Sequence, residues 1–382
     1  MISIYLAVKE IWRNRGRFLL FSLVIALITL LVLFIAALGE GLGNSNREYI
    51  SKLDAQLIVF LDKSDTIISA SRLDSSVIRA LRRIDGVADV GGISVSTTAI
   101  IAGEKVVKVS LLGVEIGKPG VPVILEGKSL SSDNNDVIVD QRVLDSAHVK
   151  VGDIITIRST QGTKDQFYTL RIIGVTGKQS YLFQPSIFIP PQTWEQVRPK
   201  STAELNNTTP AINVAAIRLK NPEDLKQMER LILASVKDIQ VADIPTTIQN
   251  IPGYSAQQST LQTQGGFTLL IGVLIIGGFF QIQILQKVPQ IGVLKAIGAS
   301  NGMVGIASVL QIIIVTGLGV LIGGLLTMGF SLAMPQNIPI VFDGTSSALA
   351  VLALLLIGPL GGMVSVIYAV RIEPLKALRL SQ

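Results

Sequence analysis

The sequence predicts a membrane α-protein carrying an extracytoplasmic α/β domain: four transmembrane helices, with the large outer domain between helices 1 and 2. Three observations predict it. Four stretches contain no Asp, Glu, Lys or Arg: residues 18–39, 265–286, 303–342 and 344–370. Only 16% of the 382 residues are charged, and mean hydropathy is +0.54, against about a quarter charged in soluble domains. The basic residues outside the long 40–264 segment crowd into short flanks on one side of these stretches.

A helix rising about 1.5 Å per residue needs about 20 apolar residues to cross a hydrocarbon core roughly 30 Å thick. Residues 18–39 (FLLFSLVIALITLLVLFIAALG) meet that length and form helix 1. A cleaved signal sequence would carry an apolar run of only about 7–15 residues and a small-residue cleavage site, so this run is expected to stay as an anchor. Residues 265–286 form helix 2. The third stretch is too long for one crossing and is punctuated by Pro335, Asn337 and Pro339; it predicts helix 3 within 303–334 and an outer turn over 335–345. Helix 4 spans 346–370, with Gly358-Pro359 as an expected kink.

Charge position sets the expected orientation. Residues 1–17 contain Lys9, Arg13, Arg15 and Arg17; the 287–302 loop contains Lys287 and Lys295; the 371–382 tail contains Arg371, Lys376 and Arg379. These segments, an N-terminal amphipathic stretch among them, are expected to be cytosolic, in an inner or plasma membrane. They carry a net +7, the outer turn −1 (Asp343), and the 40–264 region is neutral, so the chain's overall +6 is accounted for by topology. Nucleic-acid binding thereby loses its support; membrane lipid is the expected surround.

The outer region reads as strand–helix–strand units around an unlike middle. Residues 56–61 (QLIVFL) are a strand; 75–84 (SSVIRALRRI) a helix capped by Asp74; 87–90 and 94–101 two further strands. Residues 213–219 are a strand, a helix opens at Asn221-Pro222-Glu223 and runs to about 236, and 239–241 begin another strand. The middle, about 115–200, is strand-rich: short strands at 137–139, 154–158, 168–175 and 187–189, and a helix over 142–147. One domain interrupted by an insertion is the expectation. Residues 43–53 and 255–263 either extend helices 1 and 2 outward as stalks or, given Gly39, Gly41, Gly43, Gly265 and Gly266, act as flexible linkers.

Catalytic chemistry finds no footing. The single histidine, His148, has no cysteine or second histidine to share a metal, and reads as a surface or packing residue. Asp133 and Asp136 lie in a turn-like SSDNND. Neither Gly117-Lys118-Pro119-Gly120 nor Gly162-Thr163-Lys164 matches a phosphate loop. The expectation is a non-enzyme with no catalytic, metal or cofactor site of its own. The apolar runs also lack the acid or base of an ion pathway. Gly319-x-x-x-Gly323 and Gly358-x-x-x-Gly362 permit close helix approach, within the chain or between copies.

The most informative segment is 287–300, KVPQIGVLKAIGAS. After Pro289 as a breaker, residues 291–297 read as a short apolar helix ended by Gly298. A helix this apolar wants either the headgroup layer or a protein groove.

Pro289, Gln290, Ile291, Gly292, Val293, Leu294, Lys295, Ala296, Ile297, Gly298, Ala299 and Ser300 stand between helices 2 and 3. The segment resembles the ATPase-coupling segment of the MacB/FtsX/LolC superfamily of ABC transporter permeases, E-I-G-[IV]-L-[RK]-A-[IL]-G-A-[ST]. Glu126-Gly127-Lys128, Val151-Gly152-Asp153, Ile172-Ile173-Gly174-Val175 and the closing Pro374-Leu375-Lys376-Ala377-Leu378-Arg379 are similar to further family patterns. Gln290 replaces the usual Glu, removing a charge from any partner contact, while the apolar face Ile291, Val293, Leu294 and Ile297 is intact.

The resemblance implies a porter-like outer domain with a sabre-like insertion. It also implies a separate ABC ATPase chain that binds ATP and Mg²⁺, a second permease copy or homologue forming a dimer, and a possible periplasmic adaptor. The implied activity is ATP-driven export of a substrate such as an antibiotic, lipid, glycolipid or haem. The alternative is an FtsX-like mechanotransmitter that activates an extracellular cell-wall hydrolase.

Overall fold

The computed structural model describes residues 9–103, 105–131, 135–202, 204, 212–334 and 339–372. The chain divides into two compact units: Met1–Gly41 with Gln258–Gln382, and Leu42–Gln257. Among the described residues, four helices are long and apolar enough to cross a membrane: α1 (Arg15–Ser51), α7 (Tyr254–Ala296), α8 (Asn301–Ala333) and α9 (Gly344–Arg371). The first two exceed the lengths expected from hydropathy alone. Residues 43–51 and 254–263 are helical and continue the first and second of these helices. Gly39 and Gly41 serve close packing instead: a Cβ on Gly39 would stand 3.2 Å from Leu261, and one on Gly41 would collide with the Pro339 carbonyl.

The helical unit packs around Phe18, Ile25, Val32, Ile276, Phe280, Ile312, Val315 and Ile357. Ser300 caps α8 by accepting from the Met303 amide at 3.2 Å, and Asp343 caps α9 by accepting from the Ser346 amide at 2.9 Å. Pro359 lies inside α9, which is assigned as one helix across it.

The other unit contains β1 (Leu57–Leu61), α2 (Ser75–Leu81), β2 (Val87–Ala102), β3 (Lys105–Val114), β4 (Ile124–Gly127), β5 (Asp136–Asp140), α3 (Gln141–Ala147), β6 (Ile154–Gln161), β7 (Lys164–Thr176), β8 (Ser186–Ile189), α4 (Pro191–Val197), β9 (Val214–Leu219), α5 (Leu225–Ser235), β10 (Ile239–Asp243) and α6 (Ile244–Gln249). All ten strands join one sheet, ordered β10-β1-β9-β2-β3-β8-β5-β7-β4, with β6 pairing β2 and β7. The first four strands hold the two strand–helix–strand units, and Asp74 caps α2 through the Ser76 amide.

The insertion is hydrogen-bonded into the same sheet. The long strand β2 pairs with β9 over its first half and with β3 over its second; β3 then pairs in parallel with β8. The sequence reading divides β2 at Gly91-Gly92. The structure runs through, paired with β9 across both glycines; a side chain at Gly91 would strike the Pro119 carbonyl, so glycine is there for close approach and not to end the strand. On one face of the sheet, apolar clusters occupy each end, Leu81, Ile217 and Ile232 in one and Val139, Ile157 and Trp194 in the other; the alternate strand residues, Phe60, Leu112 and Phe188 among them, pack with Tyr49 on the opposite face.

His148 ends α3 in the left-handed conformation (φ 57°), its Nδ1 2.9 Å from the Asp145 carbonyl: a capping role. Asp136 accepts from the Ser131 hydroxyl at 2.8 Å. Asp133 and residues 374–379 lie outside the described residues.

Candidate coupling site

Residues 287–300 form the end of α7 and the turn into α8. Contrary to the breaker reading, α7 passes through Pro289 without ending. Proline removes one backbone donor and crowds the preceding turn, yet Ile284, Val288 and Ile291 are all buried on either side. Side packing of this kind holds a helix together across a proline. The helix ends where the sequence places its stop. Gly298 has φ +103°, its amide donates to the Lys295 carbonyl at 3.0 Å, and the Ala299 amide reaches the Leu294 carbonyl at 3.1 Å. This is the Schellman pattern, in which a left-handed glycine lets the last carbonyls find donors.

The helix turn before that stop has two unlike faces. Ile291 is buried with Ile284, Val304 and Ala369, and Leu294 and Ile372 pack against that cluster. Gly292 is buried as well. Gln290, Val293, Ala296 and Ile297 are exposed, Ile297 to 78% and Val293 to 48%. The four-residue apolar face read from the sequence is therefore divided. Ile291 and Leu294 belong to the bundle, and the exposed remainder is Val293, Ala296 and Ile297, beside Gln290.

Two lysines turn inward. Lys295 Nζ donates to the carbonyls of Val370, at 2.6 Å, and Ile372, at 3.0 Å, which belong to the C-terminal end of α9. Lys287 pairs with the Glu10 carboxylate and donates to Gln311 Oε1 at 3.4 Å, with its ammonium 5.6 Å from the centre of the Phe18 ring. Gln311 Nε2 donates to the other Glu10 oxygen. Glu10 and Gln311 escape the sequence reading. The available signals are a lone acid among four bases in the N-terminal flank and a glutamine inside an otherwise apolar run.

All four glycines of the paired motifs pack within the chain. A Cβ on Gly319 would lie 2.6 Å from Ile25 Cβ, and one on Gly323 2.5 Å from Thr29 Cβ, both on α1. Gly358 faces Thr316 and Gly362 faces Ile312, both on α8. Gly361 and Gly277 bring α9 and α7 backbone to backbone. Among the described residues, no group of three or more His, Cys, Asp or Glu side chains could hold a metal ion.

Residues 18–234 match the MacB-like periplasmic core domain, and residues 265–374 match the FtsX-like permease C-terminal domain. The chain belongs to the MacB/FtsX-like ABC permeases. Relatives align along almost the whole length. A "Putative hemin transport system permease protein HrtB" from Staphylococcus haemolyticus is 25% identical over 377 residues, 98% of each chain. A protein of the same name from Staphylococcus epidermidis is 22% identical over 373 residues, again 98% of each. Among solved structures, the extracellular domain of the Gram-positive transporter YknZ aligns at 14% identity and TM-score 0.35, covering 49% of this chain and 99% of that one. The periplasmic region of MacB from Actinobacillus actinomycetemcomitans aligns at 15% and 0.36, covering 53% and 95%. As a membrane permease of this family, the chain is a non-enzymatic transporter component, and its family implies an ATPase partner.

Proposed function

We propose that this permease is the membrane subunit of an ATP-driven exporter. Its partner is a separate ATPase chain that binds ATP and Mg²⁺ and presses on Gln290, Val293, Ala296 and Ile297. The observation that carries this reading is the divided helix end at 290–297. One face is built into the bundle, while the other leaves Val293 and Ile297 uncovered on the segment that the basic flanks mark as cytosolic. The basic flanks support a topology with this end and both termini in the cytosol and the α/β domain outside. ATPase closure tilts the four helices, and that motion does work on the outer domain.

Two copies, or one copy and a homologous permease, complete the unit, and a periplasmic adaptor is the further partner this reading admits. Hemin is the first substrate to test, because the full-length relatives carry hemin transport in their names. In the full chain, Val293→Asp with Ile297→Asp is expected to abolish co-purification of the ATPase and at least tenfold of the hemin resistance lost on deletion. Unchanged association and export would overturn the docking surface. A deletion strain with normal hemin export but impaired cell-wall hydrolysis would favour the regulator reading instead.

A further inference from the structure

We propose that Lys287 and Lys295 form a polar collar that makes the coupling end of α7 move the other three helices as one body. This rests on the coupling role proposed above and adds positioning residues to it. The two lysines are eight residues apart, so they lie about 12 Å apart along the helix and about 80° apart around it. That offset lets each reach a different neighbour. Lys287 holds Glu10, in the segment leading into α1, and Gln311 of α8. Lys295 holds the Val370 and Ile372 carbonyls at the end of α9.

Apolar contact alone is non-directional and would let these helix ends slide past one another. A charge-assisted bond fixes a direction and a register between two named groups. The Lys295 site has a second property: a helix C-terminus carries unpaired carbonyls and partial negative charge, so an ammonium there binds backbone that no α9 side-chain change removes. The basic position of the coupling motif is thus spent inside the permease. Gln311 joins both partners of the other tie, its amide N–H donating to Glu10 and its amide oxygen accepting from Lys287.

The test uses full-length variants with the ATPase that co-purifies with the wild type, reading membrane level, ATPase association, ATP hydrolysis and hemin efflux. Lys295→Met keeps the stem and removes the donors. The collar predicts normal level, association and hydrolysis, with hemin efflux per ATP falling at least tenfold. Lys295→Arg, whose fork can serve both carbonyls, should recover most of it. At the other tie, Lys287→Met should uncouple similarly. The charge exchange Glu10→Lys with Lys287→Glu should restore coupling, since the Gln311 amide can turn to serve the reversed pair.

Lys295→Met that exports like wild type would overturn the collar alone. So would loss of ATPase association in step with efflux, which would make Lys295 a docking residue. Should Lys295→Met fail to accumulate, Lys295→Gln, a neutral donor on a shorter stem, should export less hemin per ATP than Lys295→Arg at equal membrane level. Equal efflux per ATP in those two variants would also count against the collar. A wild-type permease that holds no ATPase would sink the proposed function, and the collar with it, because there would be no push to distribute.

Discussion

The two units of this permease are held together by opposite means. The α/β domain buries bulk: Tyr49, Phe60, Phe188 and Trp194 fill the space beside a ten-stranded sheet. The helical unit removes bulk, bringing helices together at Gly277 and Gly361, Gly319 and Ile25, and Gly323 and Thr29. Moving an apolar side chain out of water stabilises by about 25 cal/mol per Å², so large residues are favoured where the alternative is water. In a bilayer the alternative is lipid, the area term nearly vanishes, and contact quality between surfaces takes over. Small residues win there because they let backbones meet.

The largest expected effect breaks that contrast at a single helix. Gly323→Ala would place a Cβ 2.5 Å from Thr29 Cβ and 2.6 Å from the Ala26 carbonyl. Overpacking of this kind costs about 1–3 kcal/mol. The adjacent Gly324 has nothing within 4 Å of the same added atom, so Gly324→Ala should be neutral or stabilising by up to about 1 kcal/mol on helix propensity. Thermal midpoints in detergent separate the two. Equal shifts would mean that the glycines matter for backbone flexibility and not for fit.

The same contrast explains what was legible in the sequence. The four apolar runs show on inspection because they answer to one requirement, hydrocarbon thickness. Helix ends are legible where local chemistry marks them, as at Asp74 and Gly298; Ser300 and Asp343 are caps that only the structure shows. Strand β3 has no such marker: Lys105–Val114 is read only through its pairing with β2 across Gly103. Pro289 misleads because the local penalty is overridden by Ile284 and Ile291, whose partners Val304 and Ala369 are distant in sequence. The same distance hides which face of the coupling segment is free. Periodicity marks Ile291, Val293, Leu294 and Ile297 as apolar; only the neighbouring helices decide that the first and third are taken.

Acid supplies a smaller test that acts on one unit first. The membrane runs hold no carboxylate, whereas the α/β domain depends on several. Burial pushes the Asp89 carboxyl up, but Lys118, donating at 2.9 Å, the Val90 amide and the nearby Arg218 outweigh it and hold it below the usual carboxylate range. A carboxylate held low stabilises the fold above its unfolded value, about pH 3.9, and that contribution is lost as pH falls through the lowered folded value. Fluorescence of buried Trp194 should therefore report loss of the α/β domain in acid before helical circular dichroism falls. Asp89→Asn should be less stable than wild type at pH 7, and the gap should close below about pH 4. A gap that widens in acid would show that Asp89 is not held low.

The smallest effect lies within the α/β unit, at the 42–51 end of α1 that belongs to it. Tyr181 and Gln184 exchange backbone hydrogen bonds at 3.0 and 3.1 Å around Leu182 and Phe183, both with positive φ (49° and 63°). This is a turn that ordinarily asks for Asn-Gly. The conformation is held because the Phe183 amide donates to the Ser45 carbonyl at 3.0 Å and the Leu182 amide to Asn46 at 3.4 Å, both on α1. A left-handed bulky residue costs about 1–2 kcal/mol, and glycine returns about 0.5–1 kcal/mol of that as lost chain entropy. Phe183 is 51% exposed, so its ring gives up limited contact. Phe183→Gly should then stabilise by up to about 1 kcal/mol, and Phe183→Ala, which keeps the strain and loses the ring, should not. If Phe183→Gly destabilises while the turn survives, the ring packs in the working protein, and this joint is held by bulk like the rest of the domain. If it stabilises, the domain meets its helix by backbone hydrogen bonds at a strained turn, closer to the way the helices meet one another.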